Sequence, residues 1–513
     1  MSERERWATR IGLILAMAGN AVGLGNFLRF PAQAARFGGG AFIIPYLLAL
    51  LLLAMPLMWV EWAMGRFGGT RGHGTTPGIF PIIWRNPLAK YIGVIGVFLP
   101  TTICIYYVYV ESWTFAYAYF SLKGTYFGIT DIDNMKSFYD NFLGPSAGGK
   151  MSFPILAYFF FLFTIGLNVF VMYRGIARGI EVLAKIAMPL LFLFAILLVM
   201  RVFTIGTPDP INHPDWNVWN GLGFIWNPDL SALKRGEVWL AAAGQVFFTL
   251  SIGFGAIQCY ASYLREKDDV ALTGFSTAAT NEFAEIILGS CIAIPIAVAF
   301  FGPQHTREIA GGSGFGIGFF AMPIIFQKIW LGKFFGGLWF GLLFFAGITS
   351  SVALAQPAIT FLQDELKLPR ERAVLLLWAF IFICVQFVIF GNGTLDELDY
   401  WAGTFGIAVF GLTELIFFTW IFGSKKAWNE ITKGALVKLP GFLRYVITYI
   451  APVCALAMLI MWTYQEFWAK LTMKEVADEQ KPWLWTARVI MLIEFLILCL
   501  LTSYSARKRT ETS

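Results

Sequence analysis

Apolar residues run along this chain in stretches of about twenty, separated by polar turns, which is the length a helix needs to cross the hydrocarbon of a bilayer. Twelve such runs can be read, over 11–36, 41–65, 90–122, 153–172, 177–201, 238–264, 271–301, 337–363, 373–391, 397–423, 445–466 and 484–505. Two of them carry polar residues and glycine where a spanning helix should be most apolar. The first holds Gly19, Asn20, Gly23, Gly25 and Asn26 in one short stretch that runs on to Arg29 and Pro31, and the sixth holds Thr249, Ser251, Gly253 and Gly255. Glycine weakens a helix and amide side chains are costly in hydrocarbon. Both stretches therefore predict backbone that opens at mid-membrane, which survives only inside protein or along a cavity and there offers its carbonyls and amides to a ligand. Glycines in spanning helices also serve close packing, and Gly253 and Gly255 fit that role equally.

Composition agrees with the pattern. Over 513 residues, 58% are hydrophobic and 14% charged, which excludes an ordinary soluble domain. The net charge of +6 comes from basic residues scattered among short loops with no aromatic-interleaved cluster, so nucleic acid is not a partner. Their distribution sets topology instead. Arg4, Arg6, Arg10, Arg66, Arg71, Arg174, Arg178, Arg265, Lys267, Lys425, Lys426, Arg507 and Lys508 all fall on one side, while the other side carries Asp131, Asp133, Asp140, Asp209, Asp215, Asp396, Glu397 and Asp399. Positive-inside places both termini in the cytoplasm. Arg4, Arg6 and Arg10 before an apolar run resemble a signal peptide, but Glu3 and Glu5 interrupt the basic stretch and the apolar character continues past any cleavage point, so the run is read as the first span. The six cysteines lie in apolar segments and the three histidines are far apart, so neither a disulfide nor a structural metal is expected.

The chain reads as a single polytopic domain, 1–513. It has a cytoplasmic N-terminus over 1–10, a first repeat over 11–201, a second over 238–423, last helices over 445–505 and a tail over 506–513. Within it, 302–336 reads as an outer helical hairpin around Gly311, Gly312 and Gly314, and 202–237 as irregular structure with short helices.

The stretch from Gly19 to Pro31, Trp59 to Arg66, Ile105-Tyr106-Tyr107, the sixth-span stretch from Gln245 to Gly255, and Phe345 to Ser351 closely resemble the neurotransmitter:sodium symporters, most of all their bacterial leucine-transporting branch. The resemblance extends from Trp7 to past Trp420. Spans one and six each open a set of five, and paired interrupted spans mark inverted-repeat transporters, a rule drawn in part from this same family. The resemblance implies an all-α membrane protein of twelve transmembrane helices in a five-plus-five inverted repeat, unwound in helices 1 and 6, working by alternating access with two sodium ions.

The resemblance implies a first sodium site from the Ala21 carbonyl, Asn26, Asn281, Thr249 and the carboxylate of the substrate. It implies a second from carbonyls of Gly19, Val22 and Ala346 and hydroxyls of Thr349 and Ser350. Oxygen donors of this kind suit a hard monovalent cation; the hydroxyls of Thr349, Ser350 and Ser351 could equally bond back to their own helix. It further implies a substrate carboxylate near the amides of Gly23 and Gly25 with Tyr107 donating to it, an ammonium at the Asn20, Ala21, Phe248 and Thr249 carbonyls and the Ser251 hydroxyl, and a side chain among Ile103, Tyr107, Phe248, Phe254, Ser350 and Leu354. Tyr107 and Phe248 would close over it, Arg29 and Asp399 would form an outer gate, and Arg4 and Asp364 an inner gate supported by Trp7 and Tyr263. Arg29 and Asp399 could also be interfacial charges without a gating role.

Gly23 stands where monoamine-carrying relatives place an aspartate, so the substrate must supply its own carboxylate. Glu285 stands where chloride-dependent relatives have a small neutral residue, and a fixed carboxylate there predicts chloride independence. Of the other intramembrane carboxylates, Glu111 and Glu414 are functional by default, and Glu61 is expected to tie down the broken sixth span. The expected protein is a sodium-coupled symporter of neutral, aliphatic L-amino acids of the leucine, alanine or methionine type, in the plasma membrane of a prokaryote. Its partners are the amino acid, sodium ions and the bilayer, and a homodimer is compatible with the resemblance. The alternatives are an aromatic amino-acid substrate and a non-transporting amino-acid sensor; nothing in the chain supplies the nucleophile and base of an enzyme.

Overall fold

A computed structural model describes residues 5–147, 153–312, 314–474 and 476–512, and among them the backbone is helical apart from loops and one isolated bridge between Gly39 and Pro228. Ten helices are continuous, long and apolar enough to cross a bilayer: Gly40–Gly69, Ala89–Lys123, Ile155–Tyr173, Ile176–Phe203, Val270–Gly312, Gly332–Asp364, Arg370–Phe390, Thr394–Ile421, Leu443–Thr472 and Lys481–Lys508. An eleventh span, Arg10–Ala21 with Gly25–Arg36, is bent by 45° at its break. The remaining apolar run folds as two short helices, Gly236–Thr249 and Ala256–Ala261, neither of them long enough alone to span. That pair lies where the sixth of the twelve runs was read, and among the described residues the broken runs are the first and the sixth.

Burial sorts the spans into an interior and a lipid-facing set. The eighth span, Gly332–Asp364, is 89% buried over its most apolar window, against 22% for the last span, Lys481–Lys508. Without a hydrophobic driving force between helices in lipid, close packing and internal hydrogen bonds must hold the interior together. The eighth span is built accordingly, with Gly347 so near the third span that a Cβ there would lie 3.0 Å from the Glu111 side chain.

Of the outer segments, the one after the third span is more ordered than its sequence implies. A helix over Ile132–Leu143 is capped by Asp131, which accepts from Asn134 N at 2.8 Å. The seventh span kinks at Gly302 and runs on to Gly312, and Ile317–Ala321 and Met322–Gln327 return from it. The 202–237 stretch holds a short helix over Val218–Trp226 and a tighter turn over Leu230–Lys234.

Candidate functional site

The first span leaves helical backbone at Val22, whose ψ of 86° ends Arg10–Ala21, and resumes as a widened π-type turn over Gly25–Arg29. The sixth span opens more widely. Between Thr249 and Ala256 the backbone passes through positive φ at Ser251 (53°), Gly253 (74°) and Gly255 (79°), a region that side chains disfavour and glycine enters freely. Both glycines are also pressed against neighbours: a Cβ on Gly253 would land on the Ile407 carbonyl oxygen, and one on Gly255 on the Gly96 carbonyl oxygen. Packing and backbone freedom are thus both in force. Glu61, buried on the second span, accepts from Gly253 N at 2.6 Å and so ties the opened segment down, as read from the sequence.

The two breaks face each other across a small cavity. Asn20, Ala21, Gly23, Gly25, Ile103, Tyr107, Phe248, Thr249, Ser251, Phe254, Ser350 and Leu354 line it, joined by Asn26. No charged side chain is among them. Ser251 Oγ donates to the Asn20 carbonyl at 2.9 Å, joining the two breaks directly. The Tyr107 hydroxyl accepts from Leu24 N at 3.3 Å, which leaves its own proton to donate. Gly23 N donates to Asn26 Oδ1 at 2.8 Å, so that amide is already engaged and the carboxylate position inferred from the sequence must draw on its neighbours as well. The cavity holds about 20 Å³, room for roughly one water, so admitting a larger solute requires its walls to part.

Around the Asn26 side of this cavity, oxygen donors converge. Asn26 Nδ2 donates to Asn281 Oδ1 at 2.8 Å, and Thr249 Oγ1 reaches the same Asn281 oxygen at 3.3 Å. Glu285 lies behind them, fully buried in a π-type turn over Phe283–Gly289. It accepts from Gln245 Nε2 at 2.7 Å and Asn26 Nδ2 at 3.2 Å, and also from Thr249 Oγ1. On the opposite side, Ser350 Oγ donates to the Gly19 carbonyl at 3.3 Å, while Thr349 Oγ1 bonds back to Phe345 O at 2.9 Å and Ala346 O at 3.2 Å. Gly19 packs so close to Thr349 that a Cβ would lie 2.9 Å from its side chain, and buried Val22 closes the same half-helix. Each set suits a hard cation carried as cargo: uncharged amide, hydroxyl and carbonyl oxygens, with lone pairs left after these internal bonds.

Above the pocket lies a vestibule of about 560 Å³ lined by Arg29, Tyr106, Asp396 and Asp399 among others. Gly25, Tyr107 and Phe248 line both spaces and form the partition between them. The outer pair inferred from the resemblance is not joined. Arg29 and Asp399 form no ion pair here, because each has a nearer partner: the Arg29 guanidinium lies 4.6 Å over the Phe248 ring and Asp399 accepts from the Tyr106 hydroxyl at 2.6 Å. Among the described residues, Gly25, Tyr107 and Phe248 separate this vestibule from the pocket.

On the inner side, contacts of Trp7 and Tyr263 are joined by others that the sequence did not disclose. Arg4 lies outside the described residues, and Asp364 ends the eighth span. Glu5 meets Arg370 Nη1 at 3.3 Å, and Arg370 also donates to Met172 O at 2.8 Å and Gln356 Oε1 at 3.1 Å. Glu181 accepts from Ala8 N at 2.8 Å, Thr9 N at 3.1 Å and Thr9 Oγ1 at 2.6 Å, fastening the start of the first span. Trp7 donates to the Tyr260 carbonyl at 3.2 Å, and Tyr263 bonds Thr360 at 2.8 Å. Glu181 sits one turn before Lys185 inside an apolar span, which was the only sequence sign of its role. Glu282, also missed, accepts from Tyr46 Oη at 3.2 Å beside the Asn281 cluster.

The model of the sodium:neurotransmitter symporter family matches residues 4–131 and 132–509. The chain is 29% identical over 466 residues to an uncharacterized sodium-dependent transporter of Methanocaldococcus jannaschii, covering 90% of each. It is 28% identical to an uncharacterized sodium-dependent transporter of Haemophilus influenzae, over 89% of this chain and 98% of the relative. Among solved structures it resembles MhsT in complex with L-phenylalanine, with a TM-score of 0.75 and 27% identity over 89% of this chain and 99% of the other.

Proposed function

The chain belongs to the sodium:neurotransmitter symporter family and is a sodium-dependent membrane transporter rather than an enzyme; from that premise we propose that it carries a neutral amino acid, with an aliphatic side chain preferred, together with two sodium ions. The observation that carries this reading is the cavity between the two breaks, lined by thirteen residues of which none is charged. A solute held there must bring both of its own charges. The terminal carbonyls of the helix Arg10–Ala21, at Asn20 and Ala21, and the hydroxyls of Ser251 and Tyr107 offer partners for an ammonium and a carboxylate, and Ile103, Phe254 and Leu354 offer only apolar surface. One sodium ion would sit with Ala21, Asn26, Thr249 and Asn281 and touch the carboxylate of the solute; the other would sit with Gly19, Val22, Ala346, Thr349 and Ser350.

Shared contact makes binding of the solute and of the first ion reciprocal. Labelled leucine binding to the purified protein is therefore expected to tighten steeply with sodium and to be weak in equimolar potassium; equal affinity in the two salts would refute the site. A second reading, an aromatic solute, draws support from the relative whose structure holds phenylalanine. Transport of phenylalanine or tryptophan in preference to leucine would favour it. The Glu285 carboxylate beside the first ion set supports chloride-independent transport, and the basic loops support an orientation with both termini cytoplasmic in a prokaryotic plasma membrane.

A further inference from the structure

A third cavity, of about 410 Å³, shares no lining residue with the pocket or the vestibule and lies where the fifth span ends and the loop after it meets the return of the 302–336 segment. Its walls carry Arg201, Lys328 and His213 against one carboxylate, Asp209. That carboxylate is already committed: Asn212 donates to it from its backbone at 3.1 Å and from its side-chain amide at 3.2 and 2.9 Å. Among the described residues neither Arg201 nor Lys328 has an ion-pair partner, and the Arg201 Nε is buried without a hydrogen-bond partner. The guanidinium is held in place by Nη1 donating to Thr204 Oγ1 at 2.8 Å.

Aromatic stacking builds one wall of this cavity. His213 stacks flat on Trp216 at 3.7 Å between ring centres, and Trp216 is seated on Gly302, where a Cβ would lie 2.5 Å from the indole. A buried N–H of a charged group with nothing to bond costs free energy that a bound anion would recover. A fixed fork of donors with a second cation nearby suits the oxygens of a phosphate.

We propose that this cavity binds a phosphate-bearing anion, held by Arg201 and Lys328 with His213 beside them. A lipid headgroup and free phosphate share that chemistry, and the surroundings favour the lipid. Trp330 is 75% exposed and Trp219 66% exposed on the same end of the molecule, as expected of aromatic side chains at a bilayer interface. The site is independent of which solute the transporter carries.

Native mass spectrometry of the full-length detergent-purified transporter, titrated separately with phosphatidylglycerol, phosphatidylcholine and inorganic phosphate, tests the proposal. The wild type is expected to retain phosphatidylglycerol over phosphatidylcholine, and R201Q/K328Q to lose about tenfold in retention, while K425Q/K426Q, which removes charge from the opposite face, retains it as the wild type does. Binding of inorganic phosphate that R201Q/K328Q also loses would support the site with the free anion as its ligand. Equal retention of both lipids by the wild type with no phosphate bound, or wild-type anion retention by R201Q/K328Q, would overturn it. Should the double variant fail to fold, K328Q alone, at an exposed position, carries the same comparison.

Discussion

Two side chains at the transport site have roles that single substitutions separate. Glu285 is the buried carboxylate that accepts from Asn26, Thr249 and Asn281, and under the proposed charge balance E285S is expected to leave transport dependent on chloride, with uptake falling about tenfold when gluconate replaces it. Equal uptake by E285S in the two anions would remove the charge-balance argument. Tyr107 accepts from Leu24 N and has its own proton to give. Y107F removes a hydrogen bond to a carboxylate, about 1.5–3 kcal/mol or roughly tenfold to a hundredfold in affinity, as read by saturation binding at fixed sodium. At this scale the sequence was most informative around the breaks, because glycine and amide side chains in hydrocarbon have few other reasons to occur. It was silent on Gln245 and Glu282, whose partners lie far away in sequence on other spans and become visible only once these spans pack.

Elements act here through their breaks and their fastenings. The sixth-span break depends on positive φ at Gly253 and Gly255 and on contact with the third and tenth spans. Either glycine changed to alanine suffers both strain and a backbone clash, and G255A is expected to lower the melting temperature sharply or abolish folded yield, a loss of more than about 1–3 kcal/mol. A G255A protein as stable as wild type would mean that this backbone is not held as described. On the inner side, Glu5 and Arg370 join the segment before the first span to the start of the ninth. R370Q is expected to loosen that seal, so that a cysteine placed at Ser251 reacts faster with a cytoplasmic thiol reagent; an unchanged rate would show that the Glu181 contacts to Ala8 and Thr9 suffice. The spans themselves were legible from apolar run length. The helix over Ile132–Leu143 was not, since its amphipathic, partly polar pattern resembles neither a span nor a turn. The inner seal was hidden too, because a lone Glu in a span gives no sign of which distant amides it will bind.

Among the described residues the molecule combines an outer vestibule of about 560 Å³, a partition of Gly25, Tyr107 and Phe248, a small uncharged pocket and an inner side fastened at Glu5–Arg370 and at Glu181. Under the proposed function, transport requires the Tyr107–Phe248 partition to part and the inner fastenings to release in turn. The driving force follows from the cargo. Each positive charge moving inward gains about 2.3 kcal/mol per 100 mV, so the proposed two sodium ions with a zwitterion would gain about 4.6 kcal/mol at that voltage, which would support an accumulation of roughly a thousandfold or more. The most direct test is uptake of labelled leucine and alanine into proteoliposomes holding the purified transporter, with an inward sodium gradient set against an equal potassium gradient. Concentrative uptake driven by sodium alone, abolished when the membrane is made leaky to sodium, is the predicted result. Binding without accumulation, or uptake indifferent to which cation is supplied, would contradict the account.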